Sequence, residues 1–222
     1  MCHGSRRHAA CGWAARGCAT GRAAPPLRLA LLGESTAAGT GSPTHETSMA
    51  GHLARELRAR SGQEVQWRVL GRNGATARRV ARQLVPRLTA EWPPSHLVVL
   101  VGMNDVQRTW RLRTWERHLT ALLAEAGRRC PTATVVVSGL PDVRTVPALA
   151  RPLVPLFAAR ATRMGRVTET VANALGVRYV PVEHVELTDS FFAADRMHPS
   201  PEGYRQWAAE LAPVLTEGAR DH

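Results

Sequence analysis

Apolar residues along the chain recur in two alternating patterns, which predict strands and helices in turn. Continuous or every-second apolar positions predict five strands, at residues 27–32, 65–69, 97–101, 135–137 and 177–180. After each strand, apolar residues spaced three or four positions apart predict a helix, and these five helices are marked by Met49 to Leu57, Ala77 to Leu88, Trp115 to Ala126, Met164 to Leu175 and Tyr204 to Leu215. This alternation predicts a parallel sheet with right-handed crossovers and helices on both faces.

The polarity of each strand predicts its place in the sheet. The first, third and fourth strands are uniformly apolar, as is typical of central strands covered on both faces. The second strand alternates with Gln66 and Arg68, and the fifth carries Arg178, which places both at the edges. The sequence therefore predicts a flavodoxin-like three-layer α/β/α sandwich whose five parallel strands have the order 2-1-3-4-5.

The ends of the chain differ from its body. Residues 1–26 are rich in Ala, Gly, Arg and Cys and contain no acidic residue, so we expect a disordered basic extension. Residues 27–217 form one predicted domain, followed by a short tail at 218–222. The extension lacks the apolar stretch of a secretory signal, and no apolar run is long enough to cross a membrane. We expect a cytoplasmic protein without a transmembrane segment; a transit or export role for the extension is the weaker alternative.

Charge and cysteine content change this picture little. The chain has 29 basic residues, all of them Arg, and a formal net charge of +11. This charge can indicate an acidic or nucleic-acid partner, but no nucleic-acid recognition motif is present, so we favour the codon usage of a GC-rich genome and expect no specific nucleic-acid partner. Cys2, Cys11 and Cys18 lie near His3 and His8, but their spacing matches no zinc signature, so we expect no metal site.

Five residues with chemical potential follow different strands of the predicted sheet. Ser35 follows the first strand, Gly74 the second and Asn104 the third, while Asp195 and His198 lie between the fifth strand and the last helix. Parallel strands end at one edge of a sheet, and ligands bind there. We therefore expect all five residues to lie close together.

Three of these residues have the chemistry of serine-type acyl transfer. Ser35 is the candidate nucleophile, His198 the candidate general base, and Asp195 the group that orients the imidazole. Taken singly, Ser35 and Asp195 are more often helix caps and His198 is more often a surface residue. Position 37 is Ala rather than the Gly that the α/β-hydrolase elbow requires, which disfavours that family.

The other two residues are candidate oxyanion donors. The backbone N–H groups of Ser35 and Gly74 and the side-chain amide of Asn104 could stabilise a developing negative charge. The alternatives are an Asn-Gly turn at Asn73-Gly74 and an Asx turn at Asn104.

Taken in order along the chain, these motifs resemble the sequence blocks of the SGNH (GDSL-type) hydrolases. The resemblance extends from about residue 28 to residue 208 and rests on four motifs: Gly33-Glu34-Ser35, Gly74, Gly102-Met103-Asn104-Asp105, and Asp195-Arg196-Met197-His198-Pro199. It implies a three-layer α/β/α fold, a Ser35–His198–Asp195 triad, an oxyanion hole from Ser35, Gly74 and Asn104, and no cofactor. Glu34 stands where the family usually has Asp, and Thr36 where Leu is frequent.

The resemblance also directs the functional expectation. We expect a serine hydrolase that cleaves carboxylic esters of a small-molecule substrate through an acyl-enzyme. Glu34, Asp105, Leu140 and Pro141 are the predicted substrate contacts. The apolar, proline-rich segment 140–157 is either a substrate wall or an ordinary loop. An acyltransferase or carbohydrate deacetylase with the same triad, and a binding protein that has lost the reaction, remain alternatives.

Overall fold

The computed structural model of the protein describes residues 16–19, 25–108, 111–182, 185 and 187–217. A six-stranded sheet lies at its centre. The strands are β1 (Arg16–Ala19), β2 (Leu27–Gly33), β3 (Val65–Gly71), β4 (His96–Leu100), β5 (Thr134–Ser138) and β6 (Arg178–Val180), in the order β1-β3-β2-β4-β5-β6. Strands β2 to β6 pair in parallel, which confirms the predicted order 2-1-3-4-5 for these five strands.

The sixth strand, β1, was not predicted from the sequence. It pairs antiparallel with β3, Arg16 opposite Arg68 and Ala19 opposite Val65, so β3 is not an edge strand. An edge strand offers unpaired backbone N–H and C=O groups to any extended segment, whatever that segment's side chains are. The expectation of disorder is therefore corrected for Arg16–Ala19; residues 1–15 and 20–24, and the tail at 218–222, lie outside the described residues.

Seven helices are present in the described part of the chain. They are α1 (Ser35–Ala38), α2 (Met49–Ser61), α3 (Ala77–Gln83), α4 (Met103–Arg108), α5 (Leu112–Arg129), α6 (Val154–Ala174) and α7 (Pro201–Thr216). Helices α3, α5 and α6 share one hydrophobic core with the sheet, and α2 and α7 share another on the opposite face. This is the predicted three-layer architecture. No helix in the described ranges is long and apolar enough to pass through a membrane.

Two helix boundaries differ most from the sequence prediction, and a proline lies near each of them. The helix predicted to reach Leu88 ends at Gln83, because Pro86 lacks the N–H that a continuing helix needs; a 3₁₀ turn follows at Val85–Arg87. Helix α6 begins at Val154, ten residues before its first predicted marker, with Pro155 in the first turn where a missing N–H has no cost.

Adjacent residues of the central strands belong to opposite layers. In β2, Leu32 packs with α3 and α5, whereas Leu31 packs with α2 and α7. Burial on both faces holds the strands in register, and their carboxyl ends lie side by side, with Gly33 opposite both Gly71 and Leu100. The segments that follow β2, β3 and β4 therefore start from one edge of the sheet.

Candidate active site

Ser35 lies where β2 turns into the short helix α1. The Glu34 N–H still bonds to the Leu100 carbonyl at 2.9 Å, so the turn begins immediately after the last sheet contact. A Cβ atom on Gly33 would lie 2.0 Å from the Leu100 carbonyl oxygen, so only glycine allows this close approach of β2 to β4. Ser35 is 8% exposed, at the start of the helix.

The Ser35 hydroxyl belongs to a continuous chain of hydrogen bonds. His198 Nε2 lies 2.9 Å from Ser35 Oγ, and His198 Nδ1 lies 2.6 Å from Asp195 Oδ2. With the Nδ1 proton donated to the carboxylate, Nε2 can accept the serine proton. The structure thus brings together the three residues that the sequence predicted as a triad.

The loop Asp195–His198, here called the histidine loop, is organised by its own aspartate. Asp195 Oδ1 accepts the backbone N–H groups of Met197 and His198, each at 3.0 Å. Partial burial tends to raise the pKa of the Asp195 carboxyl, but the hydrogen bonds from His198 and Met197 outweigh it and hold that pKa below its ordinary value. The carboxylate therefore stays ionised near neutral pH.

A second set of contacts fixes the histidine loop against the rest of the site. A backbone bond of 2.8 Å joins the Ala193 N–H to the His198 carbonyl. Gly41, with φ of +95°, packs so closely that an added Cβ would lie 2.4 Å from the Pro199 carbonyl oxygen and 3.0 Å from His198 Cβ. The buried Tyr204 hydroxyl donates to the Thr40 carbonyl at 2.6 Å and so anchors the turn that carries Gly41.

Gly74 and Asn104 occupy neighbouring segments at the same edge of the sheet. Gly74 follows β3 in a left-handed conformation, with φ of +70°, which glycine adopts readily. Arg108 Nη1 on α4 donates to the Gly74 carbonyl at 3.0 Å, and Thr40 Oγ1 donates to Asn73 Oδ1 at 2.8 Å. Asn104 lies in the first turn of α4. Arg108 thus links the two segments, a contact the sequence analysis did not predict.

Glu34 is directed into the protein and not toward a substrate. The residue is 2% exposed. Its carboxylate accepts three hydrogen bonds, from the Met103 N–H at 3.1 Å, the Asn104 N–H at 3.2 Å and Asn104 Nδ2 at 2.7 Å. Burial raises the pKa of Glu34 to about 7, although these hydrogen bonds oppose the shift. The predicted substrate contact by Glu34 is corrected: the side chain connects the serine turn to α4.

Asp105 is also directed inward, and its predicted contact with substrate is corrected too. The residue has 0% exposure, and its Oδ2 accepts the Ala77 N–H at 2.8 Å, which joins α4 to the start of α3. Arg160 on α6 is 9% exposed, and burial lowers the pKa of its guanidinium. The negative charge of Asp105 lies close enough to oppose that shift. Arg160 was not predicted from the sequence; its position between Phe157 and Met164 on the apolar face of α6 was the available signal.

Leu140 and Pro141 follow β5 at the same edge. The Leu140 side chain packs on Gly102, with Cδ2 3.2 Å from where a glycine Cβ would be. Both residues line a cavity of about 680 Å³ between segment 140–144 and α6. The Ala148 N–H donates to the Arg196 carbonyl at 3.1 Å, so the segment touches the histidine loop as well.

Comparison with known proteins finds a relative of similar sequence. The chain is 29% identical over 186 residues to the GDSL-like esterase Rv1075c of Mycobacterium tuberculosis, an alignment that covers 80% of this chain and 58% of that protein. The chain thus spans well under two thirds of that relative's length.

Solved structures share the fold at lower identity. The crystal structure of TesA matches with a TM-score of 0.68 and 22% identity, covering 85% of this chain and 97% of that one. The lipase/acylhydrolase from Enterococcus faecalis matches with a TM-score of 0.64 and 23% identity, covering 84% and 94%. Residues 31–206 match the sequence pattern of the GDSL-like Lipase/Acylhydrolase family, and the chain therefore belongs to this family.

Proposed function

We propose that the protein hydrolyses carboxylic esters through an acyl-enzyme on Ser35. The observation that supports this most directly is the unbroken hydrogen-bonded chain from Asp195 through His198 to Ser35 Oγ. A helix-cap serine or a surface histidine needs no such partner, so the arrangement favours the catalytic interpretation over the alternatives that each residue has alone.

In this mechanism His198 transfers one proton in each of two half-reactions. Nε2 takes the hydroxyl proton as Ser35 Oγ attacks the ester carbonyl, and the imidazolium then gives that proton to the leaving alcohol. The same nitrogen then deprotonates a water molecule, which attacks the acyl-enzyme. The imidazolium returns this proton to Ser35 Oγ as the acid is released. The ionised Asp195 stabilises the imidazolium and keeps Nε2 directed at the serine.

The negative charge on the carbonyl oxygen requires its own donors. The N–H groups of Ser35 and Gly74 and the amide of Asn104 supply them in this proposal. Glycine at position 74 has no side chain of its own to cover that peptide. Loss of one such donor typically lowers kcat by about 10²–10³-fold.

Segment 140–157 serves as the apolar wall of the substrate site. Leu140 packs beside Gly102, two residues before Asn104, while Ala148 is bonded to the histidine loop at Arg196. The segment therefore borders both the oxyanion side and the base side of Ser35.

The proposal is tested with two substitutions and two controls. Ser35→Ala and His198→Ala should each lower turnover of a chromogenic short-chain ester by at least about 10³-fold. Ser61→Ala, at the exposed end of α2, and His118→Ala, on α5, should retain wild-type turnover. An organophosphonate should label the wild-type protein but not Ser35→Ala. Full activity in both triad variants refutes the proposal; a folded wild-type protein with neither turnover nor labelling indicates the binding protein instead.

A further inference from the structure

Glu34 is a buried carboxylate that the mechanism above does not use. We propose, on the basis of the proposed ester hydrolysis, that ionised Glu34 is a positioning residue, which holds the Asn104 side chain with its amide nitrogen available to the oxyanion. Three hydrogen bonds to α4 and the almost complete burial of the side chain support this role.

An asparagine amide has two ends of nearly equal size, so packing alone does not orient it. Its hydrogen-bond partners decide which end is the nitrogen. An ionised carboxylate only accepts hydrogen bonds, and Glu34 Oε2 lies 2.7 Å from Asn104 Nδ2. One of the two amide hydrogens is thereby used, and the other remains for the substrate oxygen.

The same carboxylate also fixes the backbone that carries Asn104. Oε2 accepts the Asn104 N–H and Oε1 accepts the Met103 N–H, so side chain and main chain are held by one group. Because Glu34 precedes Ser35 directly, the nucleophile and an oxyanion donor are connected through a single residue. Burial excludes competing water and strengthens each of these bonds.

Protonation of Glu34 would reverse the preference of the amide. A neutral carboxyl has an O–H donor that bonds well to the Asn104 Oδ1, which favours the turned amide and presents a carbonyl oxygen to the developing oxyanion. Burial, followed by the nearby charge of Asp105 on α4, raises the pKa of Glu34, so this occurs near neutral pH. His198, another ionisable group at this site, is bonded to the neighbouring Ser35.

A double-mutant cycle tests the connection through Asn104. In the full-length protein, Glu34→Gln should lower kcat on a chromogenic short-chain ester by about 10–100-fold, part of the value of one oxyanion donor, and leave KM within about two-fold. In an Asn104→Ala background the same substitution should cause no further loss, because the group it positions is absent. Glu34→Asp, which keeps the charge, should lose less than Glu34→Gln.

The pH profile gives a second readout. Wild-type kcat should depend on an ionisation with a pKa of about 7, that of Glu34, and this dependence should be absent in Glu34→Gln. Glu116→Gln, an exposed glutamate on α5, is the matched control and should keep the wild-type profile.

Two results overturn the inference: a wild-type kcat and pH profile in Glu34→Gln, or losses that multiply in the double variant. If Glu34→Gln does not fold, the cycle is run with Glu34→Asp, whose shorter side chain withdraws the carboxylate by about 1.5 Å. The loss of kcat caused by Glu34→Asp should also vanish in the Asn104→Ala background. A loss that persists there overturns the inference. Failure of the hydrolase proposal looks different, since Ser35→Ala would then remain active.

Discussion

Replacing Gly41 by alanine should displace the histidine loop and separate His198 from Ser35. Gly41 has φ of +95°, a conformation that residues with a Cβ adopt only with strain. The added Cβ would lie 2.4 Å from the Pro199 carbonyl oxygen and 3.0 Å from His198 Cβ. Neither neighbour is the free end of a flexible side chain, so the backbone of the loop must move.

The size of the effect follows from these distances. Ordinary contact begins at 3.4 Å, so Pro199 has to retreat by about 1 Å. The bond between His198 Nε2 and Ser35 Oγ, now 2.9 Å, would lengthen beyond hydrogen-bonding distance. A misplacement of about 1 Å can lower activity by about 100-fold. The left-handed backbone adds roughly 1–2 kcal/mol of destabilisation.

The assay compares Gly41→Ala with Gly62→Ala. Gly62 also has positive φ, +69°, but a Cβ there would meet nothing within 4 Å, and the residue ends α2. Both variants should lose about 1–2 kcal/mol or more in urea unfolding, while only Gly41→Ala should lose about 100-fold in kcat/KM. Wild-type kcat/KM in a folded Gly41→Ala protein would contradict the reasoning, and so would an equal loss in Gly62→Ala.

Three further outcomes are expected. Ser138→Ala should lower the free energy of unfolding by about 1–3 kcal/mol with kcat unchanged, because the buried Trp207 Nε1–H loses its acceptor at 2.9 Å; a large loss of kcat would instead implicate Ser138 in the chemistry. The free energy of unfolding of the wild type, relative to that of Glu34→Gln, should fall by up to about 3 kcal/mol between pH 5 and pH 8, as measured by urea unfolding at each pH. The reason is that the pKa of Glu34 is raised from 4.5 to about 7, so its stabilising contribution is complete below the lower value and lost above the higher one. Leu140→Ala should change the ratio of kcat/KM between butyrate and acetate esters by several-fold, and an unchanged ratio would remove Leu140 from the substrate wall.

The spacing of apolar residues predicted most of the fold, because burial determines both that spacing and the arrangement of strands and helices. Strands covered on two faces are apolar throughout, so the central positions of β2, β4 and β5 could be recognised from their residues alone. Strand β1 gave no such signal, since it is held by backbone pairing at the edge of β3.

The candidate site divides in the same way. Residues directly after strands, such as Ser35 and Asn104, could be placed from the topology. The partners of Glu34 and Asp105 could not, because they lie 69 and 28 positions away and depend on which donor each carboxylate meets in the folded protein. A charged residue in a motif looks alike in sequence whether it faces the ligand or the interior, and only the structure distinguishes these cases.

The hydrogen bond from Ala148 to Arg196 has a consequence for evolution and engineering. It connects the segment that follows β5 to the histidine loop at Arg196. Under the proposed mechanism, substitutions that reshape that segment for a new substrate should therefore also alter proton transfer at His198. We expect variants selected for altered chain-length preference to show correlated changes in turnover, and compensating changes to accumulate around residues 193–199.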